Sequence, residues 1–378
     1  MKVKQGLHSY AVWLCFFFCG SSLGLVAQPN ADFSGQITKF DSTFAGIGPP
    51  VYFLPPPKSE EELLDDRYAA KEVDSAVVEE YVDRMKYYHR LKITGDRAVM
   101  AKYLPVTVSQ ASSVEGRLLT EIGQMERRGG TDALADLQNR LAMEYVAVGA
   151  CDFAMEFFNK AMATKAQVNR VADRDAIAHN LAVIYEYTGE LAKARNLRQE
   201  MYDRAMRSGN NAQQAYALME LALVKAKEGF SLEAERDIIR KVVPLFRRAR
   251  DEVGRATAYR TLADIYTLQR RYPEAQWFLV QAKSIVDKEG LSELLPEIIF
   301  NLAETKKHSG NPRVAIEEYK VADDLARKDN MIGMQLAIQD ALGNLYHQAG
   351  DYEGAALALN RYDTLKNILF RGTGAVAN

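Results

Sequence analysis

A chain of 378 residues with 48 lysines and arginines against 50 aspartates and glutamates carries a formal charge of −2, without the basic surplus that marks a nucleic-acid-binding domain. Its hydrophobic share of 48% is ample for a buried core, and its length allows more than one domain.

Taken in chain order, residues 1–27 have the make-up of a secretory signal. Lys2 and Lys4 precede an apolar run from Ala11 to Gly20, which continues weakly to Val26, and Ala27 offers a small residue for cleavage ahead of Gln28. The run is too short to favour a retained membrane helix, so the mature chain is expected in the periplasm or otherwise exported. Cys15 and Cys19 fall inside this segment without a lipobox before them. Cys151 is then the single mature thiol, and the fold must stand on packing without an intramolecular disulfide. Residues 28–58 read as a largely disordered linker: Pro29, Pro49, Pro50 and Pro55 to Pro57 remove helix donors, and Gly35, Gly46 and Gly48 add freedom.

Helical patterning begins at Ser59. A hydroxyl cap followed by Glu60, Glu61 and Glu62 suits the positive end of a helix dipole, and Val73, Val77, Val78, Tyr81, Val82 and Met85 follow at helical spacing. Gly95 and Pro105 interrupt, and a second helix is predicted over 113–128 before Gly129-Gly130. Residues 59–130 therefore read as an N-terminal helical cap or degenerate repeat.

From 131 to 370 the chain repeats. A leucine followed by a small residue recurs at Leu141-Ala142, Leu181-Ala182, Leu221-Ala222, Leu262-Ala263, Leu302-Ala303 and Leu342-Gly343, with spacings of 40, 40, 41, 40 and 40. Seven positions after each small anchor stand Gly149, Gly189, Gly229, Arg270, Gly310 and Gly350; twelve after stand Ala154, Ala194, Ala234, Ala275, Ala315 and Ala355. The glycine belongs where a first helix ends in the left-handed conformation. The anchor and the alanine belong where two antiparallel helices cross closely. Pro273 and Pro312 fall at starts of second helices, where a missing N–H costs nothing, with Asn311 as a candidate cap. Pro244, inside a second helix, predicts a kink. The run Arg247-Arg248-Ala249-Arg250 closes that helix and matches its dipole.

This spacing resembles the tetratricopeptide repeat family over residues 131 to about 370. The period is 40 residues where the family's usual repeat is about 34, which points to longer helices, as in the kinesin light chain and Pins-like adaptors. The segment from Tyr362 to Phe370 is also similar to one that follows such repeats in periplasmic sensory regions of Bacteroidota regulators. The resemblance implies an all-α, right-handed α-solenoid of about six stacked antiparallel helix pairs, with an N-terminal helical cap and a flexible tail at 371–378. It also implies that first helices line a concave groove.

The residues that the resemblance places on that groove are Asn139 and Arg140 in the first repeat; His179, Asn180 and Tyr187 in the second; and Tyr216 and Glu220 in the third. Arg260 and Asp264 follow in the fourth, Asn301, Glu304 and Lys307 in the fifth, and Asn344 and His347 in the sixth. An asparagine amide both donates and accepts, so it can grip a peptide backbone whatever its side chains. Met143, Val183 and Asp264 stand where a carboxylate clamp would want asparagine, so capture of an acidic C-terminus is not expected. His308 and His347, with Glu304, are too few to specify a metal site, and the one G-x-S-x-G match lies in the signal segment. No catalytic residues, metal or cofactor are assigned. The expectation is a non-enzymatic, exported scaffold that binds another protein or peptide, with a membrane-bound envelope complex as one setting. The alternative is a sensory module for a small ligand or peptide.

Overall fold

The computed structural model describes residues 57–96, 100, 111–129, 131–167 and 171–370. The signal segment, nearly all of the linker and the tail at 371–378 lie outside the described residues. The helices make up the compact unit Glu61–Asn378.

Among the described residues, two full helices precede the repeats, α1 (Glu60–Tyr88) and α2 (Ala111–Arg128). The repeats are helix pairs. The first is α3 (Thr131–Ala147) with α4 (Cys151–Ala166), the second α5 (Val171–Tyr187) with α6 (Leu191–Ser208), and the third α7 (Asn211–Lys227) with α8 (231–249). The fourth is α9 (Glu252–Leu268) with α10 (Tyr272–Glu289), the fifth α11 (Leu295–His308) with α12 (Pro312–Lys328), and the sixth α13 (Ile332–Gln348) with α14 (Tyr352–Phe370). The long period is taken up by helix length: α5 has 17 residues and α6 has 18, close to five turns each.

The repeating small residues sit where close crossing requires them. Ala154, Ala194, Ala234, Ala275, Ala315 and Ala355 are all fully buried, as are Ala142, Ala182, Ala222 and Ala303. Gly149, Gly189, Gly229, Gly310 and Gly350 end first helices with φ between 73° and 97°. In the fourth repeat Arg270 occupies this position and is held at φ 58°. A side chain there is strained in a conformation that glycine adopts freely. Arg270→Gly is therefore expected to stabilise the chain by about 1 kcal/mol, read as a raised denaturant midpoint with unchanged slope; a loss of stability would contradict the assignment.

Pro244 does not end α8. The helix passes from Ser231–Asp237 through a π-helical turn, Ile238–Val242, into Val243–Ala249, and the wider turn accommodates the missing donor. Pro273 and Pro312 stand in first turns, as expected. Asn311 is a correction: its side chain makes no capping bond, and α12 opens on its backbone carbonyl, which accepts from Ala315 N–H at 3.1 Å. Side-chain caps form instead at Asn210 and Asp251.

The two described helices of 59–130, the segment expected to be an N-terminal helical cap or degenerate repeat, pack on different repeats. Helix α2 closes the end of the first repeat, with Val114, Leu118 and Ile122 packed on Leu137 and Leu141 of α3. Helix α1 runs along the face lined by the first helices. Its Leu64, Tyr68 and Val78 join Leu336, Ala355, Leu359 and Tyr362 in a core with the sixth repeat. At its other end Tyr88 and the following Leu91 pack against the core of the first and second repeats.

Candidate functional site

The groove of the solenoid is occupied by its own chain. At the sixth repeat, Tyr68 stacks on His347 with ring centroids 4.3 Å apart, and His347 Nε2–H donates to Asp65 at 2.7 Å. Tyr68 donates its hydroxyl to the Ala355 carbonyl at 3.0 Å. The Lys71 ammonium, buried, pairs with Asp340 and donates to Asn344 Oδ1 at 2.9 Å. The sixth anchor is where alanine gives way to glycine, and the reason is here: a Cβ on Gly343 would stand 2.7 Å from the Tyr68 hydroxyl. The exception in the repeat is the seat of α1.

At the other end the chain leaves α1 and passes, without helix or turn at 91–94, across the second repeat. Asn180 Oδ1 accepts from the Lys92 N–H at 2.7 Å, and Asn180 Nδ2 donates to the Lys92 carbonyl at 2.8 Å. Asn139 Nδ2 donates to the same carbonyl at 3.1 Å, and its Oδ1 accepts from Asn180 at 2.9 Å. Both asparagines are fully buried, so their amides have no water to fall back on. Of the two asparagines that the resemblance marks for holding a peptide backbone, Asn180 and Asn301, the first holds the chain's own, helped by Asn139, while Asn301 lines the cavity under α1.

His179 fixes the next group back. Arg198 can only donate, and its Nη1 lies 2.8 Å from His179 Nδ1, so that nitrogen is the acceptor. The proton is then on Nε2, which donates to the Arg90 carbonyl at 3.0 Å. Burial, with Arg198 beside it, pushes the His179 pKa down to about 3, so the ring is neutral at ordinary pH.

The Arg90 side chain drops between two carboxylates. It donates to Glu186 at 2.9 Å and to Glu220 at 2.7 Å. Arg198 pairs with the same two at 3.0 Å, and Lys227 with Glu186 at 3.0 Å. Burial alone would raise the Glu186 carboxyl; Arg90, Arg198 and Lys227 outweigh it and hold the group below the usual carboxylate range. Glu186 and Arg198 are essentially inaccessible.

The remaining groove residues divide by repeat. Arg140 is buried and pairs with Glu144 in its own helix, and it also meets the Tyr88 hydroxyl. Tyr187 packs its ring 5.2 Å from Tyr87 of α1. Arg260 pairs with Glu297; burial pushes the Asp264 carboxyl up, opposed by Arg260, Lys227 and Arg90. Glu304 binds Lys307 at 2.8 Å and accepts from the Tyr319 hydroxyl. With Asn301, Glu304 and Lys307 line a cavity of about 470 Å³ between α1 and the fourth to sixth repeats. Tyr216 does not join the site. It stands six residues before its anchor and sets its ring edge-on to Phe246, 4.7 Å away. The residues that sequence reading missed are Glu186, Arg198 and Lys227; Glu186 was visible as a carboxylate four after an anchor, on the groove stripe.

Cys151 opens α4 half-buried, and burial raises its thiol pKa, so it packs as a neutral thiol. Among the described residues no helix is long and apolar enough to cross a membrane.

No protein-family profile matches the chain, and no curated protein matches it in sequence. Among solved structures it is similar to a Rap protein complexed with competence and sporulation factor, at 13% identity and a TM-score of 0.50, over 82% of this chain and 97% of that one. It is also similar to the apo form of RapI, at 12% identity and 0.46 over 68% and 99% of the two chains. A third is a Podosopora anserina putative kinesin light chain with TPR-like repeats, at 21% identity and 0.31 over 61% and 93%. The first of these likenesses establishes a solenoid of TPR-like helical repeats for this chain.

Proposed function

We propose that the chain is an exported TPR-like scaffold whose groove holds an extended segment of a partner protein by its backbone. One observation carries the reading: the amide pair Asn139–Asn180 closes on both the N–H and the carbonyl of one residue, Lys92, without using its side chain. Such a grip is sequence-tolerant, and hydrogen bonds of this buried kind contribute about 1 kcal/mol each. A Rap protein of similar fold is itself complexed with competence and sporulation factor, which fits a ligand seated on the repeats. The apolar run at 11–20 supports export, and with export a partner in an envelope complex.

Site-specific crosslinking from Tyr187 and Asn301 in the native envelope, with the wild type and with Asn139→Ala/Asn180→Ala, tests this. The expected result is a partner captured from groove positions and lost in the double variant. Capture unchanged in the double variant would remove the amide pair from the function.

A second reading, a sensory module for a small ligand, draws on the cavity beneath α1, whose walls carry both signs of charge in Glu79, Asp83, Lys86, Glu304 and Lys307.

A further inference from the structure

Segment 90–92 shows what the groove recognises. Three backbone groups are bound in succession: the Arg90 carbonyl by His179, then the Lys92 N–H and carbonyl by the asparagines. The side chains are treated unequally. Arg90 reaches Glu186 and Glu220, Leu91 is half-buried on the apolar core of the first two repeats, and Lys92 is exposed. The pattern held here is an arginine, then an apolar residue, then a residue bound through its peptide group.

The pocket is also built to stand without this occupant. With Arg90 withdrawn, Arg198 still pairs with Glu186 and Glu220, and Lys227 still pairs with Glu186. The two carboxylates keep two cations, so no buried charge is stranded. The seat of α1 on the sixth repeat is a separate set of contacts centred on Tyr68 and Gly343.

We propose that Asn139, His179, Asn180, Glu186 and Glu220 form a receptor for an arginine-bearing extended peptide. The chain's own Arg90–Leu91–Lys92 is an internal surrogate that such a peptide displaces. This rests on the peptide-groove reading above and adds to it a ligand class and a resident competitor. A partner enters by exchanging like contacts for like, so its apparent affinity falls by the fraction of time the surrogate is seated.

The test uses the full chain and a fluorescent peptide copying residues 86–96, KYYHRLKITGD. Binding is followed by anisotropy on the wild type, on Arg90→Ala, which removes the internal arginine, and on Gly343→Ala, which unseats Tyr68 far from the pocket. Helicity and melting are checked for each, and Arg90→Ala carries the comparison should Gly343→Ala fail to fold. The expected result is at least ten-fold tighter peptide binding to both variants than to wild type. A peptide with alanine for its arginine should bind at least ten-fold more weakly. Equal binding of the two peptides would overturn the arginine-reading site while leaving a backbone-gripping groove. Equal binding of the parent peptide to wild type and variants would overturn the internal surrogate. Failure of both peptides to bind any folded variant would overturn both this proposal and the peptide-groove reading.

Discussion

Glu186→Ala is expected to destabilise the chain by about 3–5 kcal/mol, the usual cost of breaking a buried ion pair from one side. The Glu186 side chain is wholly buried and faces Arg90, Arg198 and Lys227 at 2.9 to 3.0 Å. Its removal leaves Arg198, itself 1% exposed, to share Glu220 with Arg90, and leaves Lys227 with only the Tyr87 hydroxyl at 3.3 Å among these partners. Charges withdrawn from water cannot recover hydration without opening the second and third repeats. The cost belongs to the stranded cations more than to the lost bonds, so Glu186→Leu with Arg198→Met should recover much of it. Denaturant unfolding of the two single variants and the double measures this. A single-variant loss below about 1 kcal/mol, the range of exposed pairs, would show that water reaches the cluster.

Acid should weaken the same region before it protonates Glu186 or Glu220. His179 is held neutral at a pKa of about 3, against 6.5 unfolded. The unfolded chain therefore binds more protons below pH 6.5, so stability rises with pH across this window, is complete above it, and is lost as pH falls toward 3. At about 1.4 kcal/mol per pH unit, the loss by pH 5 is about 2 kcal/mol. The groups facing the ring act in both directions: Arg198, Lys92 and Arg90 oppose its protonation and Glu220 favours it. Glu186 and Glu220 have lowered pKa values, so their contribution is present above about 4.5 and adds to the loss only in stronger acid. Unfolding free energies at pH 7 and pH 5 should differ by about 2 kcal/mol in the wild type and by much less in His179→Gln. An equal slope in the variant would place the titrating group elsewhere.

The repeats were legible because close helix crossing admits so few residues. A buried alanine such as Ala194 or Ala315 cannot be enlarged without moving a helix, so the spacing is written at single positions. The asparagines were legible for a similar reason: a buried amide must find both a donor and an acceptor, and a peptide group supplies both. What the groove held was less legible. The apolar pattern of α1 announces a helix and leaves open the surface it meets, since Tyr68 and Ala355 are brought together from 287 residues apart. The trace of that docking in the sequence is a single departure, Gly343 in place of alanine. Arg140 meets Tyr88 of α1 while pairing with Glu144, and Tyr216, six residues before its anchor, turns to Phe246.

The chain's own segment after α1 is seated on the asparagine pair, and residue-resolved amide hydrogen exchange at Lys92 tests this most directly. The expected result is an N–H protected at least about a hundred-fold over an unstructured peptide, with protection lost in Asn180→Ala while α5 and α6 remain protected. A Lys92 amide exchanging at the free-peptide rate in the wild-type chain would contradict it.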